Sequence, residues 1–350
     1  MDFTALDRQL PPFDETAAKA ARARWDSIAK PVGGLGLLED VIVSVAGLTG
    51  SPEISIDRRA VLVLCADNGV VDEGVAQSEQ AITAQMAMNA AAGRASVCCM
   101  AKVARADVIV VDVGMKSQTE GLTVLKTASG TLNMTKGPAM SREQAETAIA
   151  NGIELVRRCH ADGYRLLATG EIGIGNTTTS SAMASVLCGI PLEAAVGRGA
   201  GLSDMGLERK RDAIRRAIEL NKPRRGDVLD VLCKLGGFDI AGMVGMFIGG
   251  ALYRIPIIID GFISAVSALA ATRLCPACAG AMIASHVSAE PAARLVLDAL
   301  GKEAVINARM RLGEGTGAVA AIPILDMALA VYRDMITYDD LRRERHDEVI

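Results

Sequence analysis

The sequence has no run of lysine or arginine longer than three residues, and its 37 basic residues are outnumbered by 41 acidic ones, for a net charge of −4. A chain without a basic stretch offers little to neutralise a phosphate backbone, which excludes nucleic acid as the expected partner. It also lacks any span of ~18 uninterrupted apolar residues, so no membrane is expected. The longest apolar segment, 240–271, is broken by Arg254, Pro256 and Asp260 and reads as buried core. The opening MDFTALDRQLPPFDE is acidic and polar and has none of the features of a secretory signal. The eight cysteines are scattered, which fits free thiols in a reducing cytoplasm. One C-x-x-C pair, Cys275 and Cys278, has no second pair and no nearby histidine. Zinc needs four ligands, so these thiols read as structural, and no metal or cofactor is expected. The loop at 168–181 is not G-x-G-x-x-G and no GK[ST] follows it, so it is neither a dinucleotide fingerprint nor a P-loop. Internal repeats, low-complexity tracts and long linkers are absent as well.

What is present is a chain of 350 residues, half of them hydrophobic, enough for a large core in one or two domains. Apolar, β-branched runs at 60–67, 106–114, 164–171 and 255–261 end in small or acidic residues. Ala-rich stretches with helical spacing lie between them, such as residues 80–104. Strands without alternation that take turns with helices imply a Rossmann-like parallel sheet covered on both faces, an α/β fold. Ligands in such sheets bind beyond the carboxyl ends of the strands, where Asp67, Asp112, Glu171 and Asp260 stand. Residues 1–55 and 320–350 read instead as amphipathic helices forming a smaller helical lobe beside a catalytic domain over 56–319.

Three glycine loops carry charge. GEIGIG (170–175) holds Glu171 at the start of a helix, VGRGAG (196–201) holds Arg198, and RLGEGTGA (311–318) holds Glu314. A glycine turn between strand and helix exposes backbone N–H groups, and the helix dipole adds partial positive charge, so an anion fits there. One such loop is most simply a tight turn with a solvated charge. Three loops on a sheet that gathers its strand ends point to a phosphorylated sugar with two carboxylates nearby.

The segments KPVGGLGLLED (30–40), CADNGVVDEGVAQS (65–78), VDVGM (111–115), GEIGIGNTT (170–178), LGGFDIAGMVG (235–245), SHVSAE (285–290) and RLGEGTGA fall in order along nearly the whole chain. In these seven motifs the sequence resembles the nicotinate-nucleotide:dimethylbenzimidazole phosphoribosyltransferases of cobamide synthesis. The resemblance implies dimers with a Rossmann-like large domain and a small helical domain. It also implies transfer of the phosphoribosyl group of nicotinate mononucleotide to a lower-ligand base, giving an α-ribotide and nicotinate. By the same resemblance Glu314 matches the general base and Glu171 a second active-site carboxylate. A carboxylate enclosed by Gly313 and Gly315 is expected to be partly desolvated, which raises its proton affinity. Gly173, Gly175, Asn176 and Thr177 would meet the phosphate or ribose hydroxyls. Gly197, Gly199 and Lys210 would close the anion site, Ser288 matches the nucleotide pocket, and Ser78 and Leu312 line the base pocket. His286 reads as a packed or capping residue rather than a catalytic one. For Asp260 a structural strand-end role and a ribose contact are equally open. Such a reaction needs no metal, because nicotinate leaves as a neutral group and nearby carboxylates stabilise the oxocarbenium-like transition state.

The sequence departs from the family pattern at three places. Asn68 replaces the usual histidine of ADHGV, and Val32 and Gly34 replace a proline and a serine. The glutamine that borders the family's base pocket aligns with Met86, and Gln85, one residue earlier on a helix, points about 100° away. An apolar wall there leaves a second acceptor class open. A divergent branch of the family, built as a heterodimer of two related chains, attaches phenol or p-cresol through an O-glycosidic bond. This chain could be a subunit of such an enzyme, even its non-catalytic partner, although the presence of Glu314 argues against a silent copy. A sugar-phosphate binder without turnover would need neither Glu171 nor Glu314.

Overall fold

In the computed structural model, which describes residues 1–347, six strands form one sheet. They are β1 (Arg59–Ala66), β2 (Asp107–Gly114), β3 (Thr123–Val124), β4 (Leu166–Ile172), β5 (Ile257–Ile259) and β6 (Met282–Ala284). Their order is β3-β2-β1-β4-β5-β6, and every pairing is parallel. This is the doubly wound arrangement expected from the continuous apolar runs. All eight residues of β1 are buried, and they alternate between two cores because side chains switch face at each residue. Leu62 and Leu64 pack with helices Arg142–Ala161, Asn176–Cys188, Phe238–Leu252 and Phe262–Leu274. Val61, Val63 and Cys65 face helices Glu15–Ser27, Leu37–Thr49, Ile82–Ala91, Ser96–Ala104 and Thr316–Asp334.

The four expected strands correspond to β1, β2, β4 and β5, while β3 and β6 are additions two and three residues long. The Ala-rich run at 80–104 divides into two helices, Ile82–Ala91 and Ser96–Ala104, at a turn where Gly93 adopts φ +74°.

Helices at both chain ends meet beside the second core. Arg24 donates to the carbonyl oxygens of Tyr332 at 3.1 Å and Met335 at 3.0 Å, and the Trp25 and Tyr332 rings lie 5.1 Å apart. Both rings share their core with Val61 and Val63, so the terminal helices rest on the sheet itself. Residues 348–350 of the expected helical lobe lie outside the described residues. Among the described residues one helix, Thr316–Asp334, has the length and apolarity to cross a membrane, and 56% of it is buried in the fold.

On the first face, helices Arg142–Ala161 and Phe238–Leu252 touch backbone to backbone. A methyl group on Gly152 would land on the carbonyl oxygen of Gly242, and one on Gly245 would land on that of Ile149. No side-chain movement can relieve contact with a main chain in the middle of a helix. Gly152→Ala should therefore destabilise the fold by ~1–3 kcal/mol through overpacking. Chemical denaturation would read this directly, and an unchanged midpoint would mean that the two helices can slide apart at little cost.

Candidate active site

The chain diverges at β1 and β4. Connections from β1 run toward β2 and β3, and those from β4 toward β5 and β6. Such a reversal opens a crevice at the carboxyl ends of the strands. A cleft of ≈ 340 Å³ occupies that position, and it is lined by residues 171–177, 198–202 and 311–314. The three charged glycine loops, far apart in sequence, thus share one cavity.

Glu171 is the penultimate residue of β4, and the chain then turns through Gly175, at φ +92°, into helix Asn176–Cys188. Glu314 sits in the left-handed region at φ +62°, between Gly313 at +87° and Gly315 at +92°. A non-glycine residue in that region costs on the order of 1 kcal/mol, a strain found where a side chain must be aimed. The turn is clamped to β4: a Cβ on Gly170 would lie 2.6 Å from the Glu314 carbonyl oxygen. Likewise a Cβ on Gly313 would lie 2.6 Å from Glu171 Oε1. Glycine at these two positions is what lets the two carboxylate-bearing loops meet.

Asp260, just beyond β5, is 4% exposed and fastens the same turn from the other side. Its carboxylate accepts the N–H of Gly315 at 3.2 Å and of Ala318 at 2.9 Å, capping the first turn of helix Thr316–Asp334. The structural role left open for Asp260 is thereby filled, and the residue also lines the cleft. Glu314, 9% exposed, accepts the backbone N–H of Val97 at 3.1 Å. The Glu171 carboxylate accepts from the Asn176 amide, whose Nδ2 also donates to Asp239 at 2.9 Å.

Burial dominates the electrostatics. It pushes the Glu171 carboxyl well up, against the hydrogen bond from Asn176, and the charges of Asp239, Asp260 and Glu314 push the same way. Burial also raises Asp239 to about 6 and Asp260 to about 7, although hydrogen bonds to each carboxylate oppose it. A cation forming in the cavity would favour the ionised form of these acids, so the site can answer developing positive charge with negative charge.

Of the residues expected at the site, Glu171, Gly173, Gly175, Asn176, Thr177, Gly199, Ser288, Ser78, Met86, Leu312 and Glu314 all line the cleft. Gly173 has a packing reason as well: its Cβ would lie 2.8 Å from Asp239 Oδ2 and 3.0 Å from Asn176 Nδ2. Gly197 and Lys210 lie behind the wall. Lys210 is fully buried, and its Nζ donates to Thr177 Oγ1 at 2.9 Å and to the Gly197 carbonyl oxygen at 3.0 Å. Burial lowers its pKa to about 8, with the Glu290 carboxylate pulling the other way. Arg198 lines the cleft, but its guanidinium is held by Asp204 and by the Leu202 carbonyl oxygen.

Two of the four strand-end acids do not reach the cavity. Asp67 accepts from the backbone N–H of Lys116 at 2.7 Å, and Asp112 pairs with Lys126 at 3.1 Å. His286 is 5% exposed and packed against Gly317, with Nδ1 3.1 Å from Ser285 Oγ, and it also lines the cleft. Met86 faces the cleft from helix Ile82–Ala91, while Gln85 is exposed away from it. Asn68 is fully buried, and neither of its amide atoms has a partner. Val32 is 72% exposed and remote from the cavity lining.

Sequence reasoning missed three groups. Glu290 and Arg311 line the cleft, and each lies beside a residue that was singled out, Ser288 and Leu312. Asp239 stands behind Asn176 without touching the cavity, and its signal was the FD pair opening the helix in LGGFDIAGMVG.

Sheet order and cleft together define an α/β protein of Rossmann-like topology whose cavity lies at the switch point of the sheet. A family model described as phosphoribosyltransferase matches residues 10–341, and the chain belongs to that family, which makes it a pentosyltransferase. Its relatives include the nicotinate-nucleotide–dimethylbenzimidazole phosphoribosyltransferase of Acetivibrio thermocellus, 48% identical over 92% of this chain and 93% of that one. The protein of the same name from Ruminiclostridium cellulolyticum is 45% identical over 95% of both chains. Among solved structures, CobT from Thermus thermophilus superposes with a TM-score of 0.88 at 39% identity, covering 92% of this chain and 97% of that one. The phenol-using alternative finds no support in these relatives.

Proposed function

We propose that this chain transfers the phosphoribosyl group of nicotinate mononucleotide to 5,6-dimethylbenzimidazole or a similar lower-ligand base, releasing nicotinate and an α-ribotide 5′-phosphate. The observation that carries this reading is the Glu314 turn, strained and clamped against Glu171 in a cleft of nucleotide size. The bond between ribose C1′ and the pyridinium nitrogen breaks, and its electron pair neutralises that nitrogen. One benzimidazole nitrogen attacks C1′ from the opposite face, which inverts a β-nucleotide to an α-product. The proton on the other ring nitrogen passes to Glu314. Glu171 stabilises the positive charge on the ribose, and that charge in turn favours the ionised form of the buried acids around it. The head of helix Asn176–Cys188 and the Gly199 loop, backed by Lys210, receive the phosphate. Ser288 borders the nucleotide, and Ser78, Met86 and Leu312 wall the acceptor. Holding both substrates in one enclosed cleft supplies much of the remaining rate.

The terminal helices act as a smaller lobe carrying one side of the molecule, supported by their mutual hydrogen bonds. Two chains pair, as the family resemblance implies, and the cytoplasm keeps all eight cysteines as free thiols. Incubating the purified chain with nicotinate mononucleotide and either benzimidazoles or phenols, with products identified by mass, tests the whole reading. An α-ribotide of dimethylbenzimidazole is the expected product, and recovery of unreacted substrates alone would sink it.

Acceptor choice is tested at Met86. A benzimidazole has a ring nitrogen that a polar neighbour can hold, whereas a phenol tolerates an apolar methionine wall. Met86→Gln should shift the ratio of specificity constants several-fold toward dimethylbenzimidazole, as one neutral hydrogen bond of ~0.5–1.5 kcal/mol allows. Competition between both acceptors in one tube measures the ratio. A flat ratio, or a shift toward phenols, would make Met86 a packing residue.

A further inference from the structure

The acid that opens helix Phe238–Leu252 has no contact with the cavity and no place in the reaction as written. Asp239 is fully buried, and neither oxygen is wasted: Oδ1 accepts the N–H of Ile240 at 3.0 Å, and Oδ2 accepts from Asn176 Nδ2 at 2.9 Å. The same Nδ2 donates to Glu171. A primary amide has two N–H donors on one nitrogen, so Asp239 and Glu171 use up both.

This arrangement fixes three things. With acids on both sides, the Asn176 side chain is held with Nδ2 between their oxygens, donating to Glu171 and to Asp239. The amide plane then holds the Glu171 carboxylate on the cleft side of β4. Asp239 itself is tied to the main chain of its own helix through Ile240. Gly173 packs onto the Asp239–Asn176 bond, where any Cβ would fall 2.8 Å from Oδ2 and 3.0 Å from Nδ2.

We infer that Asp239 is a positioning residue: from the buried head of its helix it fixes the Asn176 amide and, through it, the Glu171 carboxylate at the reacting centre. This rests on Glu171 acting in phosphoribosyl transfer. Asp239 touches no substrate, so its loss acts on turnover and not on nucleotide binding. Misplacing a reacting group by an ångström costs up to about 100-fold, and Asp239→Ala should lower kcat by ~10–100-fold with KM for nicotinate mononucleotide within about threefold of wild type.

The decisive measurement is a double-mutant cycle between Asp239→Ala and Glu171→Gln, with Asp239→Asn in the same cycle because it keeps the shape of the site. If Asp239 works through Glu171, the double variant turns over no more slowly than Glu171→Gln alone, because residues in one network are not additive. Multiplied losses would overturn the inference, as would a rise in KM with kcat unchanged. Wild-type enzyme in the same assay separates the two levels of argument, because absence of product there sinks the transferase reading instead. A crystal structure of the Asp239→Ala or Asp239→Asn variant gives a readout without turnover. The Asn176 amide should have left its wild-type position or orientation in the alanine variant, and an unmoved Asn176–Glu171 pair there overturns the inference whatever the kinetics. The asparagine variant, which still offers an acceptor oxygen, should recover part of the lost kcat, and failure to exceed the alanine variant counts against the role.

Discussion

Glu314→Gln should lower kcat by ~100- to 10,000-fold, the range for loss of a general base, while nicotinate mononucleotide still binds within a few-fold of wild type. Glutamine keeps the length of the side chain and an oxygen to accept the Val97 N–H that Glu314 accepts at 3.1 Å. The turn is held by neighbouring glycines and by Asp260, not by the charge of Glu314 itself. What the variant loses is the capacity to take up a proton. Isothermal titration with the nucleotide and single-turnover product analysis would separate binding from chemistry. Turnover close to wild type would remove Glu314 from the mechanism and leave its strained backbone as a structural feature of the cleft.

Lys210→Met should weaken nicotinate mononucleotide by up to ~10-fold, less than the ~1.5–3 kcal/mol of a direct charge-assisted contact because the charge acts through an intervening wall, and weaken the dephosphorylated nucleoside far less. Methionine fills most of the buried volume but gives up the hydrogen bonds to Thr177 and Gly197, so the nucleoside serves as the control for any shift of the wall. The ammonium group lies behind Thr177 and Gly197, and in the proposed binding mode its charge attracts the phosphate through that wall. Burial places the lysine near pH 8, so affinity for the phosphorylated ligand should fall as pH rises through about 8, as the ammonium loses its proton. The methionine variant should show no such fall over the same range. Equal losses for nucleotide and nucleoside would mean that Lys210 braces the wall without sensing the phosphate.

The central strands were legible because β1 and β4 are covered on both faces, which writes them as unbroken apolar runs. β3 and β6 were not, since two or three residues such as Thr123–Val124 or Met282–Ala284 make no run and owe their pairing to neighbours. The division of residues 80–104 was hidden by alanine, which favours helix on both sides of the Gly93 turn. At the site, Glu171 and Glu314 stood out because three charged glycine loops gather at the strand ends and because both fall in motifs that resemble the family's; one loop alone reads as a tight turn. Asp239 did not, because an acid in a first helical turn is ordinary complement to the helix dipole. Lys210 was reached through the family resemblance alone: it is flanked by Arg209 and Arg211 in a strongly charged stretch, and nothing local tells which of the three basic side chains turns inward. Only the packing of helix Asp204–Asn221 against the head of Asn176–Cys188 decides that.

The contact between Gly170 and the Glu314 turn divides the labour of the cleft between two kinds of material. Its floor is main chain against main chain, and a peptide backbone cannot be trimmed or enlarged by changing a side chain. The wall proposed for the acceptor, by contrast, consists of the side chains of Ser78, Met86 and Leu312, which line the cleft, the last of them 56% exposed. New aromatic acceptors can therefore be accommodated by exchanging those side chains, while the two carboxylates stay in register with the ribose. In such a design, selectivity is upholstery and chemistry is frame.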